Sequence, residues 1–286
     1  MFYIDEFLKY LKIDKNYSVN TINTYKNNLF NFNNYFNKDI KKIKESDIEA
    51  YLKYLHSYMD SRSICNNISS IKSFYKFLNI NYNINNISSN LFLPKTTKKI
   101  PNVLSEDEIN SLLNIKINNN FDIRNKAMIE LMYSSGLRVS ELINLKINDL
   151  NLDNDYVKVF GKGSKERIIP LGDTSIYYLK KYKSIRDSML KKDINDYLFL
   201  NNHGKNMTRQ GFFKIIKKIA SDNNIEKDFS PHTLRHSFAS HMIKYGADIK
   251  VVGELLGHSS LSTTSIYINI EDNDKKDKYK KAHPHG

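Results

Sequence analysis

The segment from Asn90 to Asn102, NLFLPKTTKKIPN, divides the chain into two regions with different sequence patterns. It holds two prolines and three lysines and has no helical period, which is typical of an extended basic linker between domains. At 286 residues the chain is long enough for two domains of ordinary size. We therefore predict an N-terminal domain over residues 1–89, a linker over 90–102 and a second domain over 103–286.

The first region is predicted to be a small helical bundle. Ser18 is suited to cap a helix, and apolar residues then recur at helical spacing. The aromatic residues of this region could stack on nucleic-acid bases, but their helical period favours a buried stripe. Three sets carry the pattern: Ile22, Tyr25, Leu29, Phe32 and Phe36; Ile48, Tyr51, Leu52 and Leu55; and Ile64, Ile68, Ile71, Tyr75 and Leu78.

The second region is mixed. Ser105 and Glu108 form a capping box that starts a new helix, and the runs YVKVF (156–160) and RIIPL (167–171) predict a β-hairpin with GKGSKE at its tip. Gly246 and Gly257 stand where helices are expected to end. Further helices are expected over 123–133, 175–189, 208–221, 232–245 and 249–256. The predicted fold is mainly α with a small antiparallel β-sheet.

The net charge of +13 at pH 7 indicates a polyanionic partner and is spread over both regions. A composition rich in Lys, Asn and Ile also follows from an AT-rich genome, so charge alone decides little. The one cysteine cannot form an intramolecular disulfide, and no apolar run is long enough to span a bilayer. We expect a cytoplasmic protein without a membrane partner.

Three short stretches carry candidate site residues. Arg138 follows a glycine in SSGLRVSEL, one helical turn before Glu141, and its planar fork suits a phosphate. A surface ion pair with Glu141 is the alternative. Lys162, between two glycines in GKGSKER, could clasp a phosphate or donate a proton, although a lysine in a hairpin turn is common. The glycine spacing there does not match a P-loop.

The third stretch, HTLRHS, places His232 and Arg235 one turn apart on a helix. His236 lies four residues after His232, but no acidic cluster would complete a metal site, so we expect no metal and no cofactor. His236 and His241 are interpreted as packed or paired histidines. Arginines, a lysine, histidines and a tyrosine together suit a phosphodiester: the tyrosine attacks phosphorus, and cationic groups stabilise the transition state and transfer protons.

The second region resembles the tyrosine recombinase (phage integrase) family, in particular its Xer-type branch. The resemblance lies in SSGLRVSELINLKINDL, VFGKGSKERIIPLG and PHTLRHSFASHMIKYGADIKVVGELLGHSSLSTTSIY. It implies that Arg138 and Arg235 clamp the scissile phosphate and that Lys162 is the general acid. It also implies that His232 is a base or hydrogen-bond donor, His258 stabilises the transition state, Glu141 orients the site, and Tyr267 is the nucleophile that forms a 3′-phosphotyrosyl bond.

The same resemblance implies the fold and the partners. A SAM-like N-terminal core-binding domain and an α+β catalytic domain would clamp duplex DNA carrying a paired-arm recombination site. Four protomers, identical or of two kinds, would form the synaptic complex, with a DNA translocase as a possible activator and no small-molecule substrate. The expected role is resolution of chromosome or plasmid dimers at chromosome segregation.

Three other functions are compatible with part of this sequence. An integrase of a mobile element, or a topoisomerase of type IB, would share the chemistry. An integrase often carries an extra N-terminal arm-binding domain, and this chain starts at the core-binding helices. A non-catalytic architectural DNA-binding protein would explain the charge, but it would leave the six-residue set unexplained.

Overall fold

A computed structural model describes residues 1–36, 38–94, 102–161, 166–191 and 195–257. The chain forms two compact units, Met1–Lys99 and Ile100–Gly286. Most of the predicted linker, residues 95–101, lies outside the described residues, and the domain boundaries stay predictions. The mainly helical fold with a small antiparallel sheet is confirmed.

The first unit is a bundle of four α-helices within its described residues. Ser18 accepts a hydrogen bond from the backbone of Thr21 at 3.3 Å, as expected of a helix cap. Of the predicted aromatic stripe, Phe32, Tyr51 and Tyr75 are core residues, each 1% exposed, and Tyr25 and Phe36 are partly buried against the same core. The helices are α1 (Phe2–Ile13), α2 (Val19–Phe36), α3 (Glu45–His56) and α4 (Ser61–Tyr82).

The second unit packs its helices around α6, which is buried over most of its length. The predicted capping box is present: Ser105 accepts from the Glu108 backbone at 3.1 Å, and the Glu108 carboxylate accepts from the Ser105 backbone at 2.6 Å. The helices are α5 (Glu106–Leu113), α6 (Asn120–Ser135), α7 (Val139–Asn144), α8 (Asp173–Arg186), α9 (Arg209–Asp222), α10 (Pro231–Lys244) and α11 (Ile249–Leu255).

The two strands of the predicted hairpin pair as expected, and a third strand extends the sheet. Strands β1 (Leu150–Asn151), β2 (Tyr156–Phe160) and β3 (Glu166–Pro170) form an antiparallel sheet in chain order. The register places Val159 opposite Arg167 and Phe160 opposite Glu166. Side chains alternate between the two faces of a strand, so Arg167 and Ile169 share the buried face of β3.

Gly136 ends α6 in the left-handed region, with φ +58°. A Cβ built there would lie 2.4 Å from Cδ1 of Phe238, so backbone and α10 side chain approach too closely for any other residue. Gly246 and Gly257 also have positive φ, +87° and +63°, just after α10 and α11. The two predicted helix ends are therefore confirmed.

None of the helices described here is both long and apolar enough to cross a membrane.

Candidate active site

Arg138 is brought to the site by the turn between α6 and α7. It is the N-terminal cap residue of α7, and the carboxylate of Glu141 accepts a hydrogen bond from its backbone N–H at 2.8 Å. The same carboxylate pairs with Nη1 of Arg138 at 3.0 Å. The ion pair predicted as the structural alternative is thus present, but it belongs to a larger cluster.

Arg235 reaches this cluster from α10. It is 7% exposed, and its Nη1 donates to the carbonyl of Gly136 at 2.8 Å and lies 3.9 Å from Oε2 of Glu141. Its Nη2 donates to the carbonyl of Leu256. Burial, followed by the charge of Arg138, lowers the pKa of Arg235 to about 10. The guanidinium stays protonated at neutral pH, although the site opposes its charge.

A third guanidinium, which sequence reasoning missed, completes the cluster. Arg167 on β3 forms a bidentate pair with Glu141, with Nη1–Oε1 at 3.0 Å and Nη2–Oε2 at 2.8 Å. Its Nε donates to the carbonyl of Leu255 at 2.9 Å. The available signal was weak: a charged residue at the inward position of a strand, which cannot be assigned without the sheet register.

Among the described residues, the cluster holds more positive than negative charge. Three guanidinium groups share the Glu141 carboxylate, whose burial opposes ionisation. The hydrogen bonds and charge of Arg167, with those of Arg138, nevertheless hold the pKa of that carboxyl below its ordinary value. Arg138 is the most accessible of the three arginines, with 36% of its side chain exposed. The excess charge is therefore available to an anion on the Arg138 side.

His232 lies on α10 one turn before Arg235 and is exposed. Burial of part of the ring, followed by the charges of His236, Arg235 and Arg138, lowers its pKa from 6.5. The lowered pKa favours the neutral ring, which is the form able to accept a proton.

The other two histidines of α10 have opposite environments. His241 is buried and its Nδ1 lies 2.9 Å from the hydroxyl of Tyr133, as a paired histidine should. His236 was predicted to be packed or paired, and the packed alternative is wrong: the residue is exposed, four residues along the same face as His232. That face lies opposite the stripe of Leu234, Phe238 and Met242 that packs into the core.

The end of α11 enters the cluster directly. Arg167, Arg235 and Arg138 donate in turn to the carbonyls of Leu255, Leu256 and Gly257, the last at 3.4 Å. The α-carbon of Gly257 lies over Arg167, and a Cβ there would be 3.2 Å from Nη1. The chain therefore arrives at the arginines immediately before His258.

The structure brings together four of the seven predicted residues, Arg138, Glu141, His232 and Arg235. Lys162, His258 and Tyr267 lie outside the described residues, and their roles stay predictions. Among the residues described, no three His, Cys, Asp or Glu side chains are grouped so that they could hold a metal ion.

Comparison with known proteins identifies the family. The model of the phage integrase family matches residues 102–274, and that of the phage integrase N-terminal SAM-like domain matches residues 4–80. The chain therefore belongs to the phage integrase family. The expected class, tyrosine recombinases that break and rejoin DNA, is confirmed by these matches and by the relatives.

The relatives are of the Xer type. The chain is 46% identical to the tyrosine recombinase XerD of Oceanobacillus iheyensis over 98% of both chains. The crystal structure of XerA recombinase is 31% identical with a TM-score of 0.53, covering 99% of both chains. That of XerH bound to palindromic difH substrate, a post-cleavage complex, is 26% identical with a TM-score of 0.73, covering 96% of this chain and 83% of the other.

Proposed function

We propose that this chain is a site-specific recombinase that cuts and rejoins duplex DNA through a covalent tyrosyl intermediate. The observation that carries the proposal is the cluster of three arginines around the Glu141 carboxylate, with Arg138 partly exposed. A phosphodiester supplies the missing negative charge, and the forked donors of arginine match its non-bridging oxygens.

The proposed reaction needs no net energy input. The Tyr267 oxygen attacks phosphorus and gives its proton to His232, while the bond from phosphorus to the 5′-oxygen breaks and Lys162 protonates that oxygen. Arg138 and Arg235 hold the non-bridging oxygens, and His258 supports the transition state. Attack by a 5′-hydroxyl on the 3′-phosphotyrosyl bond then reverses these steps and joins the strands.

We further propose that the chain resolves chromosome or plasmid dimers at segregation, as a tetramer of identical or paired recombinases on two DNA sites. Support comes from the relatives, which are named XerD at 41–46% identity over nearly the whole chain. A role as a mobile-element integrase has weaker support, since the transposon integrase structures are 18–19% identical and indicate the fold alone.

Covalent trapping tests the nucleophile. The protein is expressed in cells, covalent complexes are isolated under denaturing conditions, and the DNA ends attached to protein are sequenced. Wild type should give ends at a recurring site, while Tyr267→Phe should give none because it lacks the attacking oxygen. Tyr177→Phe, at an exposed position in the same unit, is the matched control and should behave as wild type.

Adducts that persist in Tyr267→Phe would show that another residue attacks the DNA. Adducts absent from wild type would refute the proposed reaction.

A further inference from the structure

Arg167 has no role in the proposed reaction, although it is built into the site. It is 8% exposed, and both of its terminal nitrogens are engaged by the Glu141 carboxylate at 2.8 and 3.0 Å. Its remaining Nε–H donates to Leu255. With these three bonds the guanidinium faces the carboxylate in one fixed orientation and does not face solvent.

Glu141 transmits that orientation to Arg138. Oε1 of Glu141 accepts from both Arg167 and Arg138 at 3.0 Å, and Oε2 accepts from Arg167 and from the Arg138 backbone at 2.8 Å. Each carboxylate oxygen thus joins the two arginines. Arg138 is the more exposed of the pair, and its contact with the Gly257 carbonyl is long at 3.4 Å.

We propose that Arg167 is a positioning residue: it fixes the Glu141 carboxylate, which in turn aims the Arg138 guanidinium at the scissile phosphate. The inference rests on the proposed function. Arg167 would not touch DNA itself. A lysine at position 167 would keep the positive charge but could not form the two parallel hydrogen bonds that the planar guanidinium makes with the carboxylate. The substitution Arg167→Lys therefore separates the effect of charge from that of geometry.

The test compares two buried arginines of the same unit. Arg167→Lys is measured beside Arg186→Lys; Arg186 is 2% exposed and donates to the carbonyls of Asn195 and Tyr197, away from the Glu141 cluster. The substrate is a nicked duplex carrying the cleavage site recovered by covalent trapping. Melting temperature, the Kd for this duplex, and the cleavage rate at saturating duplex are measured for each.

We expect Arg167→Lys to bind the duplex within about twofold of wild type but to cleave it about 10- to 100-fold more slowly, because a misaimed group loses rate rather than affinity. Arg186→Lys should cleave at nearly the wild-type rate even where it melts lower. If the two variants cleave at equal rates while wild type is active, the inference about Arg167 is wrong and the proposed function still stands. No cleavage by wild type would instead refute the proposed function.

A double substitution tests the route through Glu141. If Arg167 acts through that carboxylate, Glu141→Gln with Arg167→Lys should cleave within about twofold of Glu141→Gln alone. If the rate losses of the two single variants multiply in the double variant, Arg167 does not act through Glu141. Should Arg167→Lys fail to fold, Gly257→Ala replaces it: the added Cβ presses on the Arg167 guanidinium at 3.2 Å and leaves its charge in place. Gly257→Ala should then show the same loss of rate at unchanged Kd, and a wild-type rate would overturn the inference.

Discussion

At the scale of single residues, the described part of the site holds more guanidinium groups than carboxylates. Arg138, Arg167 and Arg235 contact the buried Glu141 carboxylate, and burial together with the neighbouring positive charges shifts two titrating groups of the site. The pKa of Arg235 falls to about 10, and that of His232 falls below 6.5. Burial is the larger cause of both shifts, and the neighbouring positive charges add to it; an anion that enters should oppose the part due to charge, because it favours the protonated forms.

We therefore predict that DNA raises the pKa of His232. In the free protein, NMR titration of the ring proton should give a pKa for His232 below its ordinary value of 6.5. Because the folded state disfavours the protonated ring, the contribution of His232 to the free energy of unfolding should decrease as the pH falls through 6.5. Binding of nicked duplex to Tyr267→Phe, which cannot cleave, should move the titration to higher pH. His232→Gln assigns the signal, and His236→Gln tests the contribution of that neighbour.

An unchanged titration on binding would show that no phosphate reaches His232.

The sequence was informative where chemistry depends on residue type and uninformative where it depends on packing. Arg138 and Arg235 could be singled out because few side chains suit a phosphate. Arg167 could not, because its inward direction follows from the pairing of β2 with β3. The exposure of His236 was readable, since it lies on the face opposite the apolar stripe of α10, but the prediction overlooked that periodicity.

At the scale of elements, the contact between the end of α6 and helix α10 positions the residues of the site. Gly136 ends α6 against Phe238 of α10, and its carbonyl accepts from Arg235. The approach is possible only because Gly136 has no side chain. The end of one helix thus fixes the position of an arginine on another.

We expect Gly136→Ala to destabilise the protein by about 4 kcal/mol, the sum of a left-handed alanine and a clash with the Phe238 ring. Gly246→Ala is the control, because Gly246 also has positive φ, +87°, but a Cβ there meets nothing within 4 Å. It should cost only about 1–2 kcal/mol of conformational free energy. Urea unfolding measures both, and equal losses would show that the contact with Phe238 is unimportant.

Element prediction succeeded where caps and periodicity agreed. The bounds of β2 were predicted to the residue, and the capping box of α5 was recognised from Ser105 and Glu108. Strand β1 was missed because it is two residues long and has no period of its own; its pairing with β2 defines it. The hairpin tip carrying Lys162 lies outside the described residues, so its placement stays a prediction.

At the scale of the whole molecule, the charge of +13 should govern DNA affinity. A protein that neutralises about six phosphates loses about a thousandfold in affinity between 50 and 200 mM salt, because bound counterions are released on association. We predict a steep linear fall of log affinity with log salt, measured by fluorescence anisotropy. Arg138→Gln should reduce the slope by about one unit.

A flat response would indicate binding that does not depend on phosphate contacts.

The carbonyls at the end of α11 give the site a reciprocal property. The arginines proposed to bind phosphate already donate to Leu256 and Gly257, so DNA and the chain leading to His258 share the same donors. When two partners bind the same hydrogen-bond donors, each changes the affinity of the other by the same factor. A ligand that repositions Leu256 and Gly257 would change the affinity for DNA by the same factor by which DNA changes the affinity for that ligand. The position of the chain after α11 and the affinity for DNA are therefore two sides of one coupled equilibrium.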